Sequence, residues 1–343
     1  MVEFDKLENF LYLCLSDAEN KCCARFKGNE IKLNSIEEVD EILKQHPEIT
    51  RLIIDLKGTD VLIESRCCEL IKKLKFGKQI KELRLKIIAT KIMNLEFLKN
   101  FPNIESLFLD GCAIIDYSAI GSLNNLKSIE ISQCYRYFKN INFASQLKNL
   151  KSIKLYRNNL CDISGIYGLE NLEYLDISSN RSTNFDYEVL KSLPSLIFLG
   201  LSHGFDLQKI PLEVLKNLKY LSLCSCRISD ISILENAKNL ECLYLSQNNI
   251  EDLSSLENMP LLKSLDLVMN EVKDIAKLEG LTNLQELKIA GCPVSISSEE
   301  LFDRIPSLKI LNNKSRDGIG FDYTPYGLDA ISKQFVKTYR HFR

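Results

Sequence analysis

The chain has 343 residues, of which 45% are hydrophobic and 26% charged, and its formal net charge is −2. This balance excludes a global electrostatic field that grips nucleic acid or an anionic membrane, so function must come from local surfaces. Twelve cysteines are too few in so long a chain for a disulfide scaffold. No basic leader precedes an apolar run at the N-terminus, and no run approaches the roughly 18 apolar residues of a membrane span. We expect a soluble protein of the cytoplasm, with the nucleus as the alternative, whose thiols are free.

Residues 1–48 predict an N-terminal cap made of helices and a hairpin. Phe4, Leu7, Leu11, Cys14 and Leu15 follow helical spacing, which predicts a first helix. The segment 25–33 around Gly28-Asn29 predicts a short hairpin. A capping box at residues 35–38 then predicts a second helix, which stops before Pro47.

The rest of the chain is dominated by a repeat. The pattern L-x-x-L-x-L-x-x-N/C recurs at intervals of 22 or 24 residues and starts at Ile104, Leu126, Leu150, Leu172, Leu196, Leu218, Leu240, Leu262 and Leu284. Weaker copies start at Ile80 and near Ile49, and a partial copy starts at Leu308. Within each copy the apolar residues first alternate and then recur every three residues, which predicts one strand and one tight helical connector. Units of this kind cannot fold alone and stabilise one another by stacking.

This pattern resembles the leucine-rich-repeat family, in particular its 22-residue class. The segments 227–232 (RISDIS) and 249–254 (NIEDLS) are very similar to the connectors of that class. The resemblance implies an α/β solenoid over residues 49–311, with a curved parallel sheet on the concave face and short helical or 3-10 connectors on the convex face. Residues 291–311 are similar to the terminal cap of the class.

Residues 312–343 form a C-terminal tail to which the resemblance does not extend. Its second half is aromatic-rich, follows helical spacing from Leu328 to Phe342, and carries four basic residues among its last eleven. We expect it to dock back on the terminal cap, to bind a partner, or to contact an acidic surface such as RNA or phospholipid. It is the second candidate site, with Phe335, Lys337, Tyr339, Arg340 and Phe342.

Four cysteines occupy the ninth position of their repeats, where other copies carry asparagine; they are Cys112, Cys134, Cys226 and Cys292. In the leucine-rich-repeat family this side chain points inward and satisfies backbone amides at the turn, a role that cysteine fills more weakly than asparagine. The cysteine spacings do not form zinc knuckles, and the three histidines do not accompany a candidate catalytic thiol. Phosphate-binding, nucleophile-elbow and zinc-protease motifs are absent from the sequence. We therefore predict no enzyme, no metal and no cofactor.

The repeat register predicts a partner-binding surface on the concave face. Positions three, five, seven and eight of each repeat should lie on this face, because neighbouring side chains of a strand alternate sides. Tyr174, Phe198 and Tyr220 share column three and should form one aromatic strip, exposed to solvent, of the kind enriched at interfaces. The alternative is that these rings simply favour strands and shield one another. The predicted site comprises Lys154, Tyr156, Arg157, Tyr174, Asp176, Phe198, His203, Tyr220 and Tyr244.

We predict a non-enzymatic interaction scaffold, monomeric when unbound, that holds a protein partner on its concave face. Resemblance to the phosphatase-1 regulatory solenoid makes control of a Ser/Thr phosphatase one specific version. Resemblance to bacterial internalins makes a microbial factor acting on host proteins another. The alternative from a different class is a ribonucleoprotein component that contacts RNA through the basic tail.

Overall fold

The computed structural model describes residues 10–16, 21–26, 29–33, 37–57, 77–87, 93–134, 137–180, 185–312 and 314–315. The chain divides into two compact units. Unit 1 comprises Met1–Leu172 with Asn180–Leu193, and unit 2 comprises Glu173–Ser179 with Pro194–Arg343. In the described part of the chain, every helix is too short or too polar to cross a membrane.

The described residues of unit 1 form short strands, an α-helix and 3-10 connectors. Its strands are β1 (Phe10–Ser16), β2 (Lys21–Phe26), β3 (Asn29–Leu33), β4 (Arg51–Lys57), β5 (Glu82–Ile87), β6 (Met93–Asn94), β7 (Ser106–Asp110), β8 (Ile114–Asp116), β9 (Ser128–Ser132) and β10 (Ser152–Lys154). Helix α1 spans Glu37–Gln45, and 3-10 helices span Glu96–Asn100, Ser118–Ser122, Asn142–Gln146, Ser164–Ile166 and Tyr187–Ser192. The main sheet has the order β3-β2-β1-β4-β5-β7-β9-β10, and β6 pairs with β8.

The N-terminal elements confirm two predictions and correct a third. Helix α1 and the antiparallel hairpin β2–β3 form where the sequence predicts a helix and a hairpin. The helix expected up to Leu15 is wrong, because residues 10–16 form strand β1, which pairs in parallel with β4. Leu11 and Leu13 alternate into the core and are fully buried, so pairing with β4 overrides the helical spacing. Residues 4–9 lie outside the described residues.

Unit 2 repeats one strand and one connector. Its strands are β11 (Tyr174–Asp176), β12 (Phe198–Gly200), β13 (Tyr220–Ser222), β14 (Cys242–Tyr244), β15 (Ser264–Asp266), β16 (Glu286–Lys288), β17 (Ile310–Leu311) and β18 (Lys314–Ser315). Its connectors are α2 (Leu212–Asn217) and 3-10 helices at Leu207–Lys209, Ser232–Asn236, Ser254–Leu256 and Ala276–Leu278. Helix α3 (Ser298–Arg304) precedes β17.

The strands of unit 2 pair in chain order and, from β11 to β17, in parallel. The central leucine of each strand lies beside the central leucine of the next, as Leu199 lies beside Leu221. These leucines are fully buried and form the core together with the connectors. We call the face that they line the core face, and the opposite face of the sheet the outer face. The residues before and after each central leucine belong to the outer face, since side chains of a strand alternate.

The eighth position of the repeat has one backbone conformation in both units. Arg157 in unit 1 and His203 in unit 2 have φ values of 54° and 68°, in the left-handed region. Gly111 and Gly291 occupy the same position in their repeats with φ values of 68° and 78°. The chain therefore leaves each strand through a left-handed turn that glycine adopts at the lowest cost.

The ninth position closes each turn and links it to the neighbouring repeat. The Asn248 carboxamide donates to the carbonyls of Leu223 and Leu245 at 2.9 and 2.8 Å, and it accepts from the amides of Cys226 and Ile228 at 2.9 and 3.0 Å. At the equivalent position, the Cys226 thiol donates to the Leu201 carbonyl at 3.3 Å. The predicted inward orientation is thus present for both residue types. Sulfur is a weak acceptor, so the cysteine turns are bound less firmly.

Candidate partner-binding surface

The predicted aromatic column is present in the predicted register. Tyr174 lies beside Phe198, Phe198 beside Tyr220, and Tyr220 beside Cys242 on consecutive parallel strands. Column five runs alongside it and brings Tyr244 to the place next to Ser222. The leucine spacing sets this alignment, because a shift of one residue would turn the leucines away from the core.

These side chains pack into one cluster, which we call the aromatic–thiol cluster. It contains Tyr174, Phe198, Cys224, Cys242 and Tyr244, with Tyr220 packed against it. The rings of Tyr174 and Phe198 are stacked, with centroids 3.9 Å apart and planes 3° from parallel. Gly200 leaves room beside them, since a Cβ there would lie 3.2 Å from the Phe198 ring and 2.7 Å from a carboxylate oxygen of Asp176.

The expectation that the rings are exposed to solvent is wrong. Phe198 is 0% exposed, Tyr174 and Tyr244 are each 4% exposed, and Tyr220 is half-buried. Strands about 4.8 Å apart bring neighbouring rings into contact, so they remove one another's faces from water. The residues lie on the predicted face of the sheet, but they form a second apolar cluster there.

Serines beside the cluster are tied to the backbone. The Ser178 hydroxyl accepts from the Ser202 amide at 3.0 Å, and the Ser202 hydroxyl accepts from the Cys224 amide at 3.0 Å. The hydroxyls of Ser202 and Ser222 lie 2.9 Å apart. Their small size leaves space over the sheet, while these bonds fix their orientation.

Acidic groups border the cluster. Asp176 accepts from the Ser178 amide at 2.9 Å, and Asp266 accepts from the Val268 amide at 3.0 Å. Glu286 accepts from the Ser264 hydroxyl at 2.9 Å and pairs with Lys288 at 3.3 Å. Burial raises the pKa of Asp266, while Lys288 and the Val268 amide oppose the shift.

Burial keeps the ionisable groups of the cluster protonated. It raises the pKa of Tyr220 to about 12, with a further contribution from Glu241. It raises the pKa of Cys242 to about 12, with contributions from Glu241 and Glu286, and it raises the pKa of the Cys224 thiol. A reactive cysteine needs a lowered pKa. The cluster therefore presents neutral thiols and phenols that suit packing rather than nucleophilic chemistry.

The remaining predicted site residues lie outside the cluster. Lys154 and Tyr156 belong to unit 1, where both approach Glu130, at 4.0 Å from Nζ and 3.5 Å from the phenol oxygen. Arg157 and His203 are exposed at the left-handed turns of their own units. The predicted tail residues Phe335, Lys337, Tyr339, Arg340 and Phe342 lie outside the described residues.

The sequence reasoning did not select several residues of the outer face. Cys242 follows Tyr220 in column three and Cys224 lies in column seven, so the repeat register alone identifies both. In unit 1, the guanidinium carbon of Arg84 lies 4.0 Å above the centre of the Phe108 ring, and its Nε donates to Glu82 at 2.7 Å. These pairs also follow from the columns, because Arg84 and Phe108 are neighbours in column five.

No group of three or more His, Cys, Asp or Glu side chains suited to a metal ion occurs in the described ranges. The seven cysteines whose side chains are described are free thiols.

Comparison with known proteins identifies the repeat. A family model described as leucine-rich repeats (2 copies) matches residues 216–258 and again residues 238–280. An internalin from Listeria monocytogenes is similar in structure, with 18% identity, a TM-score of 0.56, and coverage of 87% of this chain and 91% of that chain. The comparison with curated proteins finds no match.

Two further solved structures are similar. The chain in the TLR13–ssRNA13 complex has 24% identity and a TM-score of 0.59, and the match covers 77% of this chain but 39% of that one. An internalin C2 from Listeria monocytogenes has 25% identity and a TM-score of 0.48, over 55% of this chain and 81% of that chain. The comparisons with the first internalin and with the TLR13 chain show a common fold.

Proposed function

We propose that this chain, a leucine-rich-repeat protein, is a non-enzymatic scaffold that binds a protein partner on the outer face of its unit 2 sheet. Leucine-rich-repeat proteins generally act as protein-interaction scaffolds. The observation that carries the proposal is the aromatic–thiol cluster, an apolar patch in register across four strands on the face of the sheet that the leucine core does not use.

The chemistry of the cluster suits a protein partner. Tyrosine offers a large contact area at low entropic cost and is enriched at the centres of protein interfaces. Tyr220 is the half-buried member and offers part of its ring to an incoming side chain. Asp176 and Asp266 at the border would orient a partner that presents cationic groups.

The described thiols are free, which supports a reducing compartment. We accordingly propose a cytoplasmic or nuclear location. A Ser/Thr phosphatase and a host protein are two specific versions of this protein partner.

Affinity capture from native cells with Tyr220→Ala tests the proposal. The variant should lose its partner by at least tenfold in recovered amount, because it removes the accessible ring at the centre of the patch. Tyr167→Ala is the matched control, since Tyr167 is 70% exposed and belongs to a connector of unit 1. Equal recovery with both variants, each folded by circular dichroism, would show that the patch is not the interface.

A further inference from the structure

Two ninth-position thiols lie side by side in unit 1. Strand β7 pairs in parallel with β9, with Asp110 beside Ser132, and the Gly111 amide donates to the Ser132 carbonyl at 2.9 Å. Cys112 and Cys134 each follow two residues later, so they occupy adjacent places in neighbouring repeats. Both are buried, at 1% and 2% exposure. A spacing of about 4.8 Å between neighbouring strands lies within the Cα separations that a disulfide requires.

The other ninth-position cysteines have asparagine beside them. Cys226 lies beside Asn248, whose side chain accepts from the Cys226 amide at 2.9 Å. Cys292 lies beside Asn270, since strands β15 and β16 pair in the same register. The repeat register therefore brings two ninth-position thiols together in unit 1.

Hydrogen-bond donors converge on the sulfur of Cys134. The hydrogen bond from the Cys112 thiol lowers the pKa of Cys134; burial opposes this shift, and the Cys112 backbone amide adds to it. The same contact with Cys134, together with burial, raises the pKa of Cys112. The pair is therefore asymmetric: when one proton leaves, Cys134 carries the charge and Cys112 keeps its proton.

Tyr117 supplies a third donor. Its ring packs edge-to-face on Phe138, with ring centroids 4.8 Å apart. Its hydroxyl is buried and makes no hydrogen bond within the described part of the chain. Burial raises the pKa of this phenol and nearby Cys134 raises it further, so the hydroxyl stays protonated. A buried hydroxyl without an acceptor is costly, and a thiolate at Cys134 provides that acceptor.

We propose that Cys112 and Cys134 form a redox modification site, in which hydrogen peroxide converts the two thiols into a disulfide between neighbouring repeats. The ionised Cys134 sulfur attacks one peroxide oxygen and the O–O bond breaks; the departing hydroxide combines with the proton that Cys134 released, which gives a sulfenic acid and one water. The Cys112 sulfur then attacks the sulfenic sulfur, the S–O bond breaks, and the departing hydroxide takes the Cys112 proton as a second water. Two thiols are oxidised and one peroxide is reduced.

The burial of the pair selects a small oxidant. Hydrogen peroxide is uncharged and close to water in size, so a local opening between two repeats admits it. The disulfide replaces two weak thiol hydrogen bonds, from Cys112 to the Leu85 carbonyl at 3.8 Å and from Cys134 to the Ser132 carbonyl at 3.3 Å. Oxidation thus links two repeats of unit 1 covalently, and the site does not depend on the function proposed for unit 2.

Peroxide titration of the reduced full-length chain tests the inference. The remaining thiols are alkylated, the chain is digested without reduction, and mass spectrometry follows the linked peptide that contains Cys112 and Cys134. Cys224 and Cys242 are matched controls, because each is 7% exposed while burial raises its pKa. We expect the linked peptide to form roughly tenfold faster than either control loses its thiol. Equal or slower formation would overturn the inference.

Single variants identify the attacking sulfur. In Cys112→Ser the second step is blocked, so a sulfenic acid should accumulate on Cys134 and react with a 1,3-diketone probe. In Cys134→Ser no sulfenic acid should form on Cys112. Circular dichroism checks that both variants are folded. A sulfenic acid on Cys112, or a wild-type linked peptide that forms only after urea unfolds the chain, would count against the site.

Tyr117→Phe tests the positioning role of the phenol. It keeps the ring on Phe138 and removes only the hydroxyl. Disulfide formation should slow by roughly threefold and its pH profile should shift to higher pH, because the Cys134 thiolate loses a donor. The other titratable groups that face Cys134, namely Cys112 and Asp110, are unchanged. An unchanged pH profile would refute this role of Tyr117.

The stability of the oxidised chain gives an independent readout. The urea midpoint of oxidised wild type should exceed that of reduced wild type, because the disulfide constrains the unfolded chain, and a dithiol reductant should reverse the shift. Peroxide-treated Cys134→Ser should show no shift. An equal or lower midpoint for a chain that carries the linked peptide would show that the disulfide does not stabilise the repeats.

Discussion

The outer faces of the two units have the same strand arrangement but different surfaces, which are charged in unit 1 and apolar in unit 2. In unit 1, column five places Arg84, Phe108, Glu130 and Lys154 side by side, and their charges pair with one another or lie over a ring. In unit 2, column three places Tyr174, Phe198 and Tyr220 side by side and buries them. The leucines on the core face are alike in both. The comparison teaches that the residues of the core face specify the repeat fold. The residues of the outer face can vary to give either a charged or an apolar surface.

The largest expected effect comes from removing one outer-face ring in each unit, which tests whether the two outer faces differ in their contribution to stability. Phe198→Ala should cost about 3 kcal/mol, because it removes a fully buried aromatic side chain. Phe108→Ala should cost about 1.5 kcal/mol, since Phe108 is only partly buried and loses mainly its contact with Arg84. Equilibrium urea unfolding measures both. Equal costs would mean that packing on the outer face contributes no more stability in unit 2 than in unit 1.

The ninth-position side chains link the turns of neighbouring repeats and so support both faces of the sheet. Asparagine at this position should contribute more to the free energy of unfolding than cysteine. Asn248→Ala should cost about 2–3 kcal/mol, because it leaves buried amides and carbonyls without their partner. Cys226→Ala should cost less than about 1 kcal/mol, since a thiol donates weakly. Thermal and urea unfolding of the two variants test this order. A larger loss of stability for Cys226→Ala than for Asn248→Ala would contradict these roles of the ninth-position side chains.

A carboxylate held between two lysines recurs in both units and should behave alike in each. The hydrogen bond from Lys127 lowers the pKa of Glu105, although burial opposes it. Burial raises the pKa of Glu241, but hydrogen bonds from Lys263 and Lys219 outweigh it and hold this pKa below its usual value. We expect Glu105→Gln and Glu241→Gln each to cost about 0.5 kcal/mol at neutral pH and low salt.

The pH dependence follows from the direction of these shifts. A carboxylate with a lowered pKa stabilises the fold above the pKa of the unfolded chain, and the contribution is lost as the pH falls through the folded value. The difference between wild type and either variant should therefore disappear in acid, and it should shrink in high salt. Urea midpoints over a pH series provide the measurement. A difference that grows in acid would contradict the assignment.

The smallest expected effect concerns the left-handed turns, which do not differ between the units. Arg157→Gly should stabilise the protein by about 0.5 kcal/mol, because glycine adopts a φ of 54° without strain. The reverse change, Gly111→Ala, should destabilise it by a similar or larger amount, since Gly111 has a φ of 68°. Melting temperatures test both changes. A destabilised Arg157→Gly would reveal a role of that side chain beyond the turn.

The sequence was sufficient for the register of the repeats because leucine spacing and strand alternation are rigid constraints. Tyr174, Phe198 and Tyr220 align as predicted for that reason. Their burial fits the alternative that neighbouring rings shield one another, and the sequence could not decide between this alternative and an exposed strip, because a column identifies the face of a sheet but not how the rings pack on it. Strand β1 was missed because Leu11, Leu13 and Leu15 fit alternation while Leu11, Cys14 and Leu15 fit a helix. Only the pairing with β4 decides between them.

The presence of asparagine at some ninth positions and cysteine at others has a consequence for how the repeats separate. At Asn248 the carboxamide fastens one turn to the turn before it through bonds in both directions. At Cys292 a thiol donates to the Leu267 carbonyl, and sulfur alone faces the amides of Asn270 and Val272. The interfaces between repeats that depend on a cysteine are therefore the least stable. On heating or under a pulling force, local unfolding should begin at these interfaces, while the repeats linked by asparagine stay folded.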